Sequence, residues 1–375
     1  MKYALLRSAL ALSAAALLLH PSRALAAPCA SGNELVQEFP TAGPAVSRWE
    51  LCWDVVRLPG PIPIAQRSET LVISSAEFRP GAAAAPVKVL GDLRMSEIFV
   101  PYHPGTPRLH DMSDLPFSLV ALASVECTGT RLGSNRVCRE VGDRGLAWRD
   151  PYVPVSRRGE KLVLWSILNA GNYDYVMEYG FFDDGTIEVR AGATGRKLLG
   201  ADDMTGHFHN FAWRIDLDVD GADGDTAHVS AARVGRKVTE SEKTIDVEQG
   251  LKWDAKGFTH VEVSDATSVN GRGRPRGYTL APVVEGSTRF PESWTKFPIW
   301  VTRSHGPEAE LLARQVDVYA SDREPVAGTD LVLWYLASHD HEGDMRDEDR
   351  QTVPVAWVGF RLEPQNLWDG TPFYP

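Results

Sequence analysis

The chain has 375 residues, 43% hydrophobic and 24% charged, which is enough for one large or two ordinary domains with a substantial core. A formal net charge of −11 argues against nucleic-acid binding, which requires a basic face to neutralise phosphates. With 32 Gly and 25 Pro, the composition favours many short strands joined by turns over long helices.

Residues 1–26, "MKYALLRSALALSAAALLLHPSRALA", have a basic start (Lys2, Arg7), a short apolar run and a small-x-small end at Ala24–Ala26. This pattern predicts a secretory signal peptide cleaved near Ala26, because the run falls short of the ~20 residues that span a bilayer. Loss of Lys2, Arg7 and Arg23 takes the formal charge to −14. Residues 27–375 contain no repeat, low-complexity tract or linker, and a single domain is expected. An exported chain meets an oxidising compartment, so the four cysteines are expected to pair. Cys127–Cys138 would close the short polar loop "CTGTRLGSNRVC", and Cys29–Cys52 would pin the mature N-terminus. Strands are predicted in "ETLVISSAEF", "KLVLWSIL", "TIEVRAG", "HNFAWRIDLDVDG", "THVEVSD", "PIWVTRS", "TDLVLWYLAS" and "PVAWVGFRLEP". Asp184-Gly185 signals a hairpin turn, "PEAELLARQV" is the best short helix, and "GRGRPRGY" reads as a surface loop. The fold class is mainly β, a large antiparallel β-sandwich.

Five features could carry chemistry. "GNYDY", Gly171–Tyr175, interrupts an apolar strand run with polar and aromatic groups. His207 and His209, two apart on a strand, share a face and suit Cu or Zn. His339 and His341 repeat that spacing at the end of another strand. Asp216, Asp218 and Asp220 alternate onto one face of a predicted strand, which is either a hard-cation site or a solvated edge. Asp111 and Asp114, in "LHDMSDLPF", are candidate bases, provided that burial tunes one of them.

Taken together these residues resemble the catalytic domain of the copper amine oxidases, whose motif T-x-x-N-Y-D/E-Y supplies a topaquinone from its first Tyr. "NAGNYDY" matches at Asn172, Tyr173, Asp174 and Tyr175. "VPY", the acidic loop, the cysteine loop, "HFHNFAWRIDLDVDG", a late His and the closing "FRLEPQNLWDGTP" follow the family's order. The likeness runs from about residue 45 to 375. It implies a catalytic-domain-like supersandwich and a Tyr173-derived topaquinone. It implies copper(II) on His207, His209 and His341, which falls seven residues after Trp334, with His339 as the alternative. Tyr102 matches the tyrosine that hydrogen-bonds the quinone, Asn172 the residue beside it, and Asp111 the catalytic base. Asp216, Leu217 (backbone), Asp218, Asp330 and Leu331 (backbone) match a peripheral site that holds calcium, and Cys127–Cys138 matches the family disulfide. The implied reaction is oxidative deamination of a primary amine to aldehyde, ammonia and hydrogen peroxide, through a Schiff base with the quinone, with Asp111 removing the α-proton. The implied partners are a small primary amine or peptidyl lysine, O2 and a second copy in a homodimer, with no nucleic acid and no membrane.

The sequence also departs from the family. Asn169 stands where the motif has Thr, and the Tyr102–Asp111 segment is short, with Leu109 or His110 in place of a gating aromatic. The smaller α/β domains that precede the family's catalytic domain have no counterpart, so a minimal member with a more open mouth is expected. The rival readings are a secreted metal-binding sandwich without chemistry and a His-ligated zinc hydrolase. Neither requires "NYDY".

Overall fold

The computed structural model describes residues 29–59, 66–82, 84–198, 205–252, 257–284, 292–306, 312–348 and 351–369. The expected signal peptide lies outside them. Two ten-stranded, wholly antiparallel sheets face one another. Along its main path the first sheet runs Glu34–Phe39, Ser47–Pro59, Gln66–Arg79, Asp92–Pro101, His207–Asp216, Leu331–His341, Ile299–Arg303 and Gln249–Leu251. In the second, Val353–Gln365, Ile187–Gly195, Tyr173–Phe182, Ser156–Asn169 and Val137–Arg149 are successive neighbours. All eight predicted strands are present, and Gly185, at φ +88, makes the hairpin turn.

Alternation explains the second sheet: Tyr173, Tyr175, Met177, Tyr179 and Phe181 point into the sandwich, and Asp174, Val176 and Glu178 between them are half-buried. Aromatic residues bridge the layers and satisfy their polar ends there. Trp49 Nε1 donates to Phe182 O at 2.8 Å and Tyr179 Oη to Leu71 O at 3.2 Å. The strand Asp92–Pro101 does not alternate, and every residue in it is buried. Its outer face is covered by a second cluster that includes Phe99, Trp294, Trp300, Val316 and Trp334. A strand covered on both faces loses the polar half of its pattern.

Three expectations change. The helix in "PEAELLARQV" shrinks to a 3₁₀ turn, Ala313–Gln315, continued by Val316–Tyr319, and its first residues lie outside the description. In "GRGRPRGY" only the first four residues form a turn, because a strand starts at Pro275. The "DLDVD" strand ends at Asp216, so the three aspartates do not share a strand face. Asp220 instead adopts φ +69 and pairs with Arg276 at 3.2 Å. Both expected disulfides form, Cys29–Cys52 and Cys127–Cys138. Among the described residues no helix is long and apolar enough to cross a membrane.

Candidate active site and metal centre

Strand register gathers the histidines. His207 lies opposite His341 and His209 opposite His339 in adjacent antiparallel strands. Directly paired residues share a face, and so do residues two apart, so all four imidazoles project to one side. His207, His209 and His341 each offer a ring nitrogen within 4.8 Å of the other two. His339 stands further out, lining a cavity of about 270 Å³ with Tyr173, His209, His341, Arg346 and Val353–Ala356.

Tyr173 enters from the opposite sheet. Its hydroxyl lies 2.8 Å from His341 Nδ1, and its ring centroid is 4.6 Å from that of His209. The turn before it is built by Gly171 at φ +85 and by Asn169, whose Nδ2 donates to Asp174 Oδ1 at 2.8 Å. Asn169, which stands where the family motif has Thr, thus ties the hairpin that presents Tyr173. Asn172 Nδ2 donates to Arg196 O at 2.9 Å, fixing the chain beside the ring. Gly195 is required there, because a Cβ would lie 2.3 Å from Asn172 O and 2.7 Å from Tyr173 Cα. Tyr102 stacks on His207 with centroids 4.6 Å apart.

The imidazoles are held neutral. Burial, reinforced by the neighbouring histidines, pushes His207 down to about 3 and His209 well below the usual range. Both ring nitrogens of His207 and of His209 are buried with no hydrogen-bond partner among the described residues. Buried polar atoms are seldom left so. Neutral imidazoles with uncommitted lone pairs are what a Cu or Zn ion takes, so this donor set fits a metal.

The two loop aspartates separate. Asp114 is exposed and pairs with Arg314 and His110. Asp111 is 5% exposed and accepts the Tyr175 hydroxyl at 2.7 Å. Burial raises Asp111 to about 7, against the lowering effect of that hydrogen bond. Tyr175 is pushed well above its usual range by burial and by Asp111, so it stays a donor. Its ring stacks on Tyr173 with centroids 6.2 Å apart, linking the acid to Tyr173. The sequence reading gave Tyr175 no role, although its place two residues after Tyr173 puts both on one face. At the supposed gate, His110 stacks on Phe99 at 4.6 Å and meets Glu292 at 3.3 Å, and Leu109 packs against the core.

Away from this centre, Asp216, Asp218 and Asp330 bring carboxylate oxygens within 4.8 Å of one another. They are not a solvated edge, because Asp216 and Asp218 are buried and the strand that ends at Asp216 lies mid-sheet. Leu217 is buried between them, and Leu331 follows Asp330 at the start of its strand. Arg214 reaches Asp216 at 3.0 Å and Lys88 reaches Asp218 at 2.5 Å, neutralising part of the charge.

The family model "Copper amine oxidase, enzyme domain" matches residues 134–374. The chain is 28% identical to the primary amine oxidase of Klebsiella aerogenes over 277 residues, covering 59% of this chain and 36% of that protein. It is 27% identical to the histamine oxidase of Arthrobacter globiformis over 286 residues, covering 64% and 41%. It therefore spans about two fifths of the length of these relatives. The fold matches a copper-containing benzylamine oxidase from Hansenula polymorpha, with TM-score 0.66 and 20% identity over 81% of this chain and 59% of that one. It also matches the Pichia pastoris lysyl oxidase, with TM-score 0.65 and 19% identity over 86% and 51%.

Proposed function

The chain belongs to the copper amine oxidase family, and from that premise we propose that it is a secreted primary-amine oxidase. It would convert R–CH2–NH2, O2 and water to the aldehyde, ammonia and hydrogen peroxide. One observation carries this reading: a buried tyrosine hydroxyl, that of Tyr173, sits 2.8 Å from one imidazole of a three-histidine cluster whose other two imidazoles have unpartnered nitrogens. Copper(II) on His207, His209 and His341, with a topaquinone made from Tyr173, would supply the two-electron acceptor for amine oxidation and its reoxidation by O2.

The chain's own residues do the rest. Asp111, near neutrality in its pocket, takes the α-proton of the bound amine. Tyr175 aims the carboxylate through one short hydrogen bond. Tyr102, stacked on His207, and Asn172, which precedes Tyr173 and is tied to Arg196, hold the surroundings of the Tyr173 side chain. The substrate is a small primary amine or the side chain of a peptidyl lysine. Calcium at Asp216, Asp218 and Asp330, with the Leu217 and Leu331 carbonyls, and a homodimer complete the reading.

The test is the mass of the Tyr173 peptide from protein made without copper and then given copper and air. A copper-dependent gain matching topaquinone is expected. An unmodified Tyr173 in folded, copper-loaded protein would sink the oxidase reading. Turnover of benzylamine-like amines against lysine-containing peptides then fixes the substrate class.

A further inference from the structure

Behind Asp111 lies a second carboxyl that the reaction above does not use. Glu97, on the strand Asp92–Pro101, is fully buried. A buried acid is costly unless something in the structure requires it. Its Oε1 accepts the Ile98 N–H at 3.0 Å and the Met112 N–H at 3.1 Å. The second of these belongs to the peptide that joins Asp111 to Met112. The carbonyl of the same peptide accepts the Ser68 hydroxyl at 2.7 Å. The peptide that follows the base is therefore clamped on both sides, by Glu97 through its N–H and by Ser68 through its C=O. The Asp111 N–H, in turn, donates to Ile98 O at 2.8 Å.

The charged groups around this turn come from several elements. Asp111 is faced by Tyr175 from the Tyr173 strand, by Glu97, and by His110 and Asp114 from its own loop. Glu97 is faced by Ser113 and His110, and by Arg67 from the strand Gln66–Arg79. Arg314 donates to Ser113 Oγ at 2.8 Å, and Glu292 holds the far side of His110 at 3.3 Å. A neutral acceptor would satisfy two N–H donors equally well. What a carboxyl adds is charge beside another carboxyl, and two acids sharing a dry pocket do not ionise independently.

We propose that Glu97 is the positioning residue of the catalytic base: it clamps the Asp111–Met112 peptide and places a second acid in the pocket where Asp111 must ionise. The inference rests on the base role given to Asp111 above. It assigns Glu97 no contact with substrate. Its influence passes through the turn and through electrostatic coupling, which adds to the effect of burial in holding Asp111 near 7.

The decisive variant is Glu97→Gln, which keeps an oxygen for both N–H groups and removes the titrating group. The Asp111 carboxyl is followed by ¹³C NMR of Asp-labelled protein, with its signal assigned by loss in Asp111→Asn. The expected result is a titration midpoint about one pH unit lower in Glu97→Gln than in the parent, with the acid limb of kcat/KM moving the same way. Glu97→Ala, which also removes the clamp, is expected to lower kcat about tenfold or more, with KM and topaquinone formation little changed. Glu97→Gln should restore that loss above pH 8. An Asp111 midpoint unmoved in Glu97→Gln overturns the proposal. The NMR readout needs no turnover. If Asp111→Asn oxidised amines as fast as the parent, the base reading would fall while the coupling of the two acids stood.

Discussion

Asp111 has its ordinary range near 3.8 and a folded value of about 7, raised mainly by burial. Between those values the folded state binds more protons than the unfolded one, so this group's contribution to stability falls as pH rises from about 4 to 7. The proposed role as base runs the other way, because only the ionised form accepts a proton. Asp111→Asn is therefore expected to abolish amine turnover and to raise the Tm relative to the parent. The gain should be larger at pH 8 than at pH 5, as scanning calorimetry at the two pH values would show; equal gains would contradict a raised Asp111. Tyr175→Phe tests the opposing effect. Its hydroxyl stabilises the carboxylate, so its loss should move the acid limb of kcat/KM to higher pH and cut the rate at pH 7 severalfold.

Strand geometry decides how these groups meet. The backbone at Tyr173 depends on the neighbouring strand ending in Gly195, directly opposite Tyr173, where a side chain would collide with it. Gly195→Ala would drive a Cβ into the backbone of Asn172 and Tyr173. The expected result is a lower denaturation midpoint together with slowed or lost topaquinone formation while copper still binds, read by EPR and peptide mass. Alternation of apolar residues made the strands legible in the sequence, and i, i+2 spacing made His207 and His209 legible. The shared face of Tyr173 and Tyr175 was equally readable, but nothing in sequence says that a second tyrosine will reach Asp111 from another sheet. Glu97 was illegible for a similar reason. It lies in a strand buried on both faces, where its partner comes from a turn fifteen positions on. Asp218 and Asp220 were misplaced because a strand end leaves no mark when the alternation continues past it.

Across the whole molecule, buried acid is concentrated at a second place, distinct from the histidine cluster. Asp216, Asp218, Asp225 and Asp330 crowd one region, with Asp216 raised to about 7 and Asp225 to about 9, mainly by burial. Both Asp225 oxygens are buried without a hydrogen-bond partner among the described residues. Arg214 and Lys88 answer part of this charge. In the absence of a cation, raised carboxyls weaken the fold as pH rises through those values. A hard cation would favour their ionised forms and recover that loss. Calcium in excess is therefore expected to raise the Tm by a few degrees, more at pH 8 than at pH 5, and Asp218→Asn should largely remove the effect. If the Tm does not respond to calcium at either pH, Arg214 and Lys88 are sufficient counter-charge and the cluster is a buried ion-pair network. If it responds, cations would act on the first sheet at two separate places, one at the histidine cluster facing Tyr173 and the other at the opposite ends of the strands that carry His207, His209 and His341.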